Sequence, residues 1–174
     1  MVPRCAFIAA RVTGLRIWRR FATAAEQINA KTFTIDGEAV VLEPDGLSRF
    51  EELNHRKDAD TAILYAFDLI ELDGEDMRNR PFLDRKAALA RLLRNTEAGV
   101  LFNEHIAEDD PIVFAHACRL GAEGIVSKKV DGTYRSGLSR VWIKVRNPAI
   151  SRRNGRGARN GIDDWEGSLS HCAT

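Results

Sequence analysis

Glu123-Gly124-Ile125-Val126-Ser127-Lys128-Lys129, followed by Trp142-Ile143-Lys144-Val145-Arg146, sets a carboxylate and a lysine at the two ends of one short apolar run and another lysine on a second. Residues two apart in a strand share a face, and a single step reverses it. Lys144 and Arg146 therefore fall on one face of a candidate strand that Trp142 begins. Convergent cations of this kind suit a polyphosphate and its metal, because phosphate oxygens carry charge that neutral donors stabilise less well. A solvated basic hairpin is the plainer reading of the same pattern.

Composition bounds the possibilities. A chain of 174 residues, 44% hydrophobic and 29% charged, is long enough to bury an ordinary globular core. Its formal net charge is only +1, yet residues 128–159 hold ten Lys or Arg against one acid, Asp131. That asymmetry favours an edge facing a polyanion, with an attraction to nucleic acid that weakens as salt rises. Cys5, Cys118 and Cys172 are far apart and odd in number, so neither a disulfide framework nor a zinc spacing is present. A reducing compartment, the cytoplasm, fits this usage. No run of about eighteen apolar residues exists, so a conventional membrane span is not expected. The first twenty-five residues carry five arginines and no acid but lack serine and a cleavage pattern, and no targeting role is assigned to them.

Working outward, residues 1–30 read as an atypical lead ending in a helix from Arg20 to Ala30. From Thr32, the apolar positions around Asp36-Gly37-Glu38 predict a strand, or two short strands kinked at Gly37, closed by the turn residues Pro44-Asp45-Gly46. Ser48 and Glu51 have capping-box spacing for a short helix ending near Lys57. Ala62–Ile70 is apolar except at Asp68, as expected of a central strand covered on both faces. Leu72-Asp73-Gly74 marks a turn. Pro81 opens a helix to about Arg94, with Leu83, Ala87, Ala90 and Arg94 along one side and Leu89, Leu92 and Leu93 widening the stripe. A strand at Val100–Phe102 and a helix over residues 110–120 follow, with Pro111 in the first turn and Gly121 past the end. Beyond Pro148, Ser, Arg, Gly and Asn predominate, so residues 149–174 read as a flexible basic tail. Short strands and helices without a strict βαβ rhythm argue for an α+β fold.

Four pieces in order, Asp36-Gly37-Glu38, Phe67-Asp68-Leu69-Ile70 with Leu72-Asp73-Gly74-Glu75, Glu123-Gly124-Ile125-Val126 with Lys128, and Trp142-Ile143-Lys144, make the chain resemble the adenylation (nucleotidyltransferase) domain of ATP-dependent DNA ligases of the compact bacterial type. The resemblance runs from about Phe21 to Pro148. It implies a partial domain over residues 31–148, with mostly antiparallel sheets and packed helices. It implies ATP and a divalent metal, usually Mg2+, as cofactors. It also implies nicked DNA as the partner, and DNA repair and recombination as the setting. Such ligases adenylate a lysine, pass the AMP to a DNA 5′-phosphate and let a 3′-hydroxyl displace it.

Residue by residue, Glu38 resembles the acid at the nucleotide ribose or metal, and Phe67 the aromatic that stacks on adenine. Glu123 resembles the metal-associated carboxylate. Lys128 and Lys144 resemble the cations that hold the α-phosphate, a division consistent with nucleotidyl transfer depending on alignment and charge neutralisation. Plainer roles are also open: Phe67 as a core aromatic, Glu38 in a turn, Asp68 satisfying backbone donors, Lys128 and Lys129 on an edge strand.

The chain departs from the family pattern at the nucleophile. Ligases carry it in a KxDG motif ahead of the DGE segment, and none occurs before Asp36; Lys31 and Lys57 lack the Asp-Gly. Lys129-Val130-Asp131-Gly132 satisfies KxDG literally but falls between the pieces bearing Glu123 and Lys144, and its Arg135 stands one residue too far on. No catalytic residue is therefore assigned. Arg146 stands where relatives often have lysine, and too few residues follow for the OB-fold domain usual in ligases. The expectation is a ligase-like piece shortened at both ends, impaired alone or completed by another ligase domain. A non-catalytic nucleotide- or nucleic-acid-binding remnant is the alternative, and RNA ligation or capping a related one.

Overall fold

The computed structural model describes residues 4–8, 15–42, 48–49, 61–96, 99–136 and 140–153. The chain divides into two compact units, Met1–Glu104 and His105–Thr174.

The first unit is built on β2 (Thr32–Leu42) and β4 (Ile63–Leu72), which pair antiparallel. Around them stand β1 (Arg4–Ile8), parallel to β2; β3 (Ser48–Arg49), antiparallel to β2; β5 (Glu75–Asp76), antiparallel to β4; and β6 (Val100–Phe102), parallel to β4. Helices α1 (Leu15–Glu26) and α2 (Phe82–Leu92) complete the unit. Pairing is mostly antiparallel, as expected, with β1 and β6 added in parallel, and β4 is central, with three neighbouring strands.

Burial follows from period-two alternation. Phe33, Ile35, Ala39 and Val41 of β2 and Leu64, Ala66 and Leu69 of β4 join Phe21, Ala24, Ala25 and Ile28 from α1 and its C-terminal end in one core. Ala88, Leu89 and Leu93, from α2 and the residue after it, close the same core. The other face of β4 is only partly covered at Ile63, Tyr65 and Phe67, so the expectation of a strand buried on both faces holds for its second half alone.

Several expected boundaries shift. The first helix begins at Leu15, not Arg20. Ser48 and Arg49 pair with Leu42 and Val41 as a strand instead of capping a helix; the rest of that expected helix and the Pro44–Gly46 turn lie outside the described residues. On α2, Leu83 and Ala87 are exposed while Phe82, Arg85, Lys86, Ala88 and Leu89 are buried. The helix is rotated because its two cations go inward.

Arg85 and Asp68 are both 0% exposed. Arg85 Nε and Nη2 donate to Asp68 Oδ1 and Oδ2 at 2.7 and 2.9 Å, and Arg85 Nη1 donates to the Arg80 carbonyl. The Leu69 amide donates to Asp68 Oδ1 at 2.9 Å. Such a fork–fork pair satisfies charges that would be costly in a core if unpaired.

The turn after β4 is a clasp. Asp73, at φ 51, accepts from the Lys31 amide at 2.7 Å, and its own amide donates to the Thr32 carbonyl at 2.8 Å. The Thr32 hydroxyl donates to Glu71 Oε1 at 2.7 Å. Gly74, at φ 89, takes the left-handed conformation that glycine adopts at no steric cost.

The second unit holds α3 (Asp110–Arg119), β7 (Gly124–Lys128), β8 (Trp142–Arg146) and α4 (Pro148–Arg153). α3 matches expectation, with Pro111 in the first turn and Gly121 at φ 78 just past the end. The start of the expected flexible tail is instead the short helix α4; residues 154–174 lie outside the described residues.

Arg85→Met should cost about 3–5 kcal/mol in urea unfolding because it strands the Asp68 charge, whereas Asp68→Leu with Arg85→Met should cost clearly less. At the surface, the Arg78 guanidinium and amide bonded to Asp76 hold that carboxyl down from 3.8 to about 2. A folded value below the unfolded one means that the Asp76 contribution is present above 3.8 and lost as pH falls through about 2. A carboxyl NMR titration should find that midpoint, and Arg78→Ala should raise it.

Candidate functional site

In the first unit, β2 and β4 bring two of the expected residues to one face. Glu38 stands opposite Tyr65, and Phe67 follows Tyr65 by two, so all three lie on the face away from the α1 and α2 core. Glu38 is exposed and Phe67 half-buried. Gly37 opposes Ala66 and Asp36 opposes Asp68, so β4 carries one more residue than β2 at Phe67, which is a β-bulge. Bulges bend a strand and re-aim a side chain, and they gather beside functional sites. The close approach of the strands requires glycine beside Glu38: a Cβ on Gly37 would come within 2.7 Å of the Tyr65 carbonyl oxygen.

Behind the bulge, α2 holds the main chain. The Lys86 ammonium donates to the Phe67 carbonyl at 3.3 Å and to the Asn103 carbonyl, and lies 4.6 Å from the centroid of the Phe102 ring. Lys86 is 3% exposed. Neither Lys86 nor Arg85 was singled out from the sequence, because charges on a helix ordinarily mark its wet side. The sequence signal for one of them is Asp68 inside an apolar run, since a buried carboxylate needs a cation or donor beside it.

In the second unit, β7 and β8 are antiparallel with Gly124 opposite Arg146, Val126 opposite Lys144 and Lys128 opposite Trp142. Lys128 and Lys144 therefore share a face with Trp142 and Arg146, as the spacing predicts. Lys144 and Arg146 are exposed. The Lys128 ammonium lies 3.9 Å from the centroid of the Trp142 ring, which Tyr134 meets edge-on at 5.4 Å. Trp142 thus sets the direction of Lys128 through a cation–π contact. The opposite face packs against α3, where the buried Ser127 hydroxyl donates to Asp110 Oδ2 at 2.7 Å.

Glu123 immediately precedes β7 and is exposed, and its carbonyl accepts from the Asn147 amide at 2.7 Å. Asn147 Nδ2 donates to the Ala122 carbonyl at 3.1 Å and its Oδ1 accepts from the Ala149 amide at 3.0 Å. This buried Asn147 ties the start of β7 to the end of β8, a role its sequence context does not announce. Among the described residues, no three His, Cys, Asp or Glu side chains are grouped to hold a metal. Lys129 heads a turn, its carbonyl accepting from Gly132 at 3.0 Å and its ammonium 3.3 Å from Asp131 Oδ1. His105 and His116 are exposed.

The sequence matches the ATP dependent DNA ligase domain family over residues 11–146, a span that includes both units' candidate residues. The multifunctional non-homologous end joining protein LigD of Pseudomonas aeruginosa is 38% identical over 116 residues, 64% of this chain and 14% of that protein. The DNA ligase of Pyrobaculum calidifontis is 30% identical over 166 residues, 79% of this chain and 28% of that protein. The chain thus spans little more than a quarter, at most, of either relative. Among solved structures, the ligase domain from M. tuberculosis LigD and a mycobacterial DNA ligase D complexed with ATP and MES each align with a TM-score of 0.57 and 32% identity. Each alignment covers 64% of this chain, with 36% and 37% of the respective structures.

A Cβ on Gly124 would stand 2.1 Å from the Val145 carbonyl oxygen. Gly124→Ala should therefore push β7 from β8 at a cost of about 1–3 kcal/mol. Hydrogen exchange should show faster exchange of the β7 and β8 amides, with β2 and β4 unchanged.

Proposed function

The chain belongs to the ATP-dependent DNA ligase family, and we propose that it binds ATP with Mg2+ and serves nick joining in DNA repair and recombination only when another ligase part supplies the nucleophile. The observation that carries the reading is the shared face of Lys128 and Lys144 on paired strands, two residues apart in register. Two ammonium groups so placed suit the oxygens of one α-phosphate, where negative charge grows as the phosphoryl group is attacked. Phe67 stacks on the adenine and Glu38 accepts a ribose hydroxyl, roles supported by their common face on β2 and β4. Glu123 is the carboxylate suited to a magnesium ion that takes its other ligands from phosphate oxygens and water, as this ion commonly does. Bound there, the metal would supply charge neutralisation for the leaving pyrophosphate. Arg146, exposed on the Lys144 face, adds positive charge for phosphate or DNA.

The nucleophilic amine is the part that these residues do not supply in this reading. No KxDG precedes Asp36, and Lys129 is engaged with Asp131 in a turn. Without that amine, the covalent route is closed while nucleotide binding persists. This favours the second reading, a non-catalytic nucleotide- or nucleic-acid-binding module, for the chain taken alone. Nicked DNA is the proposed partner, its attraction to the basic residues from Lys128 onward weakening with salt. A nicked duplex should compete better than a nicked RNA-containing one.

With labelled ATP and Mg2+, the chain should retain nucleotide under native conditions and carry no label through denaturing electrophoresis. Lys144→Ala should weaken retention by about tenfold, the loss of one charge-assisted contact. Label that survives denaturation in the parent chain and disappears in Lys129→Ala would instead identify Lys129 as the nucleophile.

A further inference from the structure

We propose that Lys86 is a positioning residue for nucleobase recognition, fixing the angle at which Phe67 meets the base; this rests on the stacking role of Phe67 proposed above. Phe67 sits at a bulge, where β4 departs from register with β2. A bulge gives a side chain a new direction but relaxes the ladder that would hold that direction. Lys86 restores the restraint from behind. Its single ammonium donates to the Phe67 carbonyl and to the Asn103 carbonyl, bridging the bulge of β4 to the residue that follows β6.

Neighbouring contacts brace both ends of this bridge. The Asn103 amide donates to the Ala66 carbonyl at 2.9 Å, so main-chain groups of residues 66, 67 and 103 are joined in one small network. The Phe102 ring beneath the ammonium and the adjacent Arg85–Asp68 pair limit where Lys86 can go. A buried lysine is a costly way to fill space, since an apolar side chain would pack there without a charge to satisfy. Its use here follows if the carbonyl it holds belongs to the residue whose ring must be aimed.

The test uses the full chain and compares ATP with inorganic triphosphate, which has no base. Phe67→Ala should weaken ATP binding by about five- to a hundredfold, the range of a base–aromatic stack, and leave triphosphate binding unchanged. Lys86→Met should weaken ATP binding at least about threefold, also without effect on triphosphate, and Lys86→Arg should recover most of the loss. In the double variant Lys86→Met with Phe67→Ala, the loss should equal that of Phe67→Ala alone. Failure of the parent chain to bind ATP, or indifference of ATP binding to Phe67→Ala, overturns the stacking role and this inference with it. A normal Phe67→Ala loss with unchanged affinity in Lys86→Met, or with additive losses in the double variant, overturns the inference alone. If Lys86→Met does not fold, Lys86→Gln replaces it in each comparison; failure of both to fold assigns Lys86 to core stability and likewise overturns the proposal.

Discussion

The pairing of Asp68 with Arg85 sets how α2 meets the sheet of the first unit. An aspartate within an apolar strand is tolerable in a core only if a partner neutralises it and fills its lone pairs. Arg85 does both, and a planar guanidinium accepts only a narrow range of approach to a carboxylate. That fixes the rotation of α2 about its own axis. The rotation in turn carries Lys86 to the main chain of Phe67 and presents Ala88, Leu89 and Leu93 to the α1 side of the core. Replacing such a pair with apolar residues is often harmless to stability. Its worth here lies in the orientation it imposes on what stands next to it.

The second unit achieves alignment by other means. Its lysines lie on an antiparallel pair whose register is held at one end, by Asn147 and by the absence of a side chain at Gly124. Register is enough to decide that Lys128 and Lys144 share a face, since a slip of one residue would reverse one of them. Trp142 then directs Lys128, whereas Lys144 extends into solvent. One cation is held and the other reaches.

Much of this was legible in the sequence because the relevant patterns are local. Strand alternation gave the common face of Lys144 and Arg146, turn chemistry gave Asp73-Gly74, and Pro111 with Gly121 bounded α3. What escaped depended on distant partners. Arg85 and Lys86 carry no local sign of burial, because the helical pattern records polarity and not the aspartate waiting in β4. Ser48 with Glu51 satisfied a capping pattern, yet Ser48 and Arg49 met the free flank of β2 and paired there. The parallel β1 had no local signature, because its pairing joins Arg4 to Thr32 across α1. Of the candidate site, residue identities and faces could be read ahead of the structure, while the bulge at Phe67 and the bridge behind it required the register of two strands at once.

The clasp at Asp73 bears on how such a chain can diverge. Because the entry to β2 is stapled to the exit of β4 through main-chain and carboxylate contacts, strand alignment is dictated from the end opposite the connection between them. Closing a longer loop adds only about 0.6 kcal/mol per doubling of its length. The step between the paired strands is therefore set apart from the length of their connection, so that alignment and loop length can vary independently over evolutionary time.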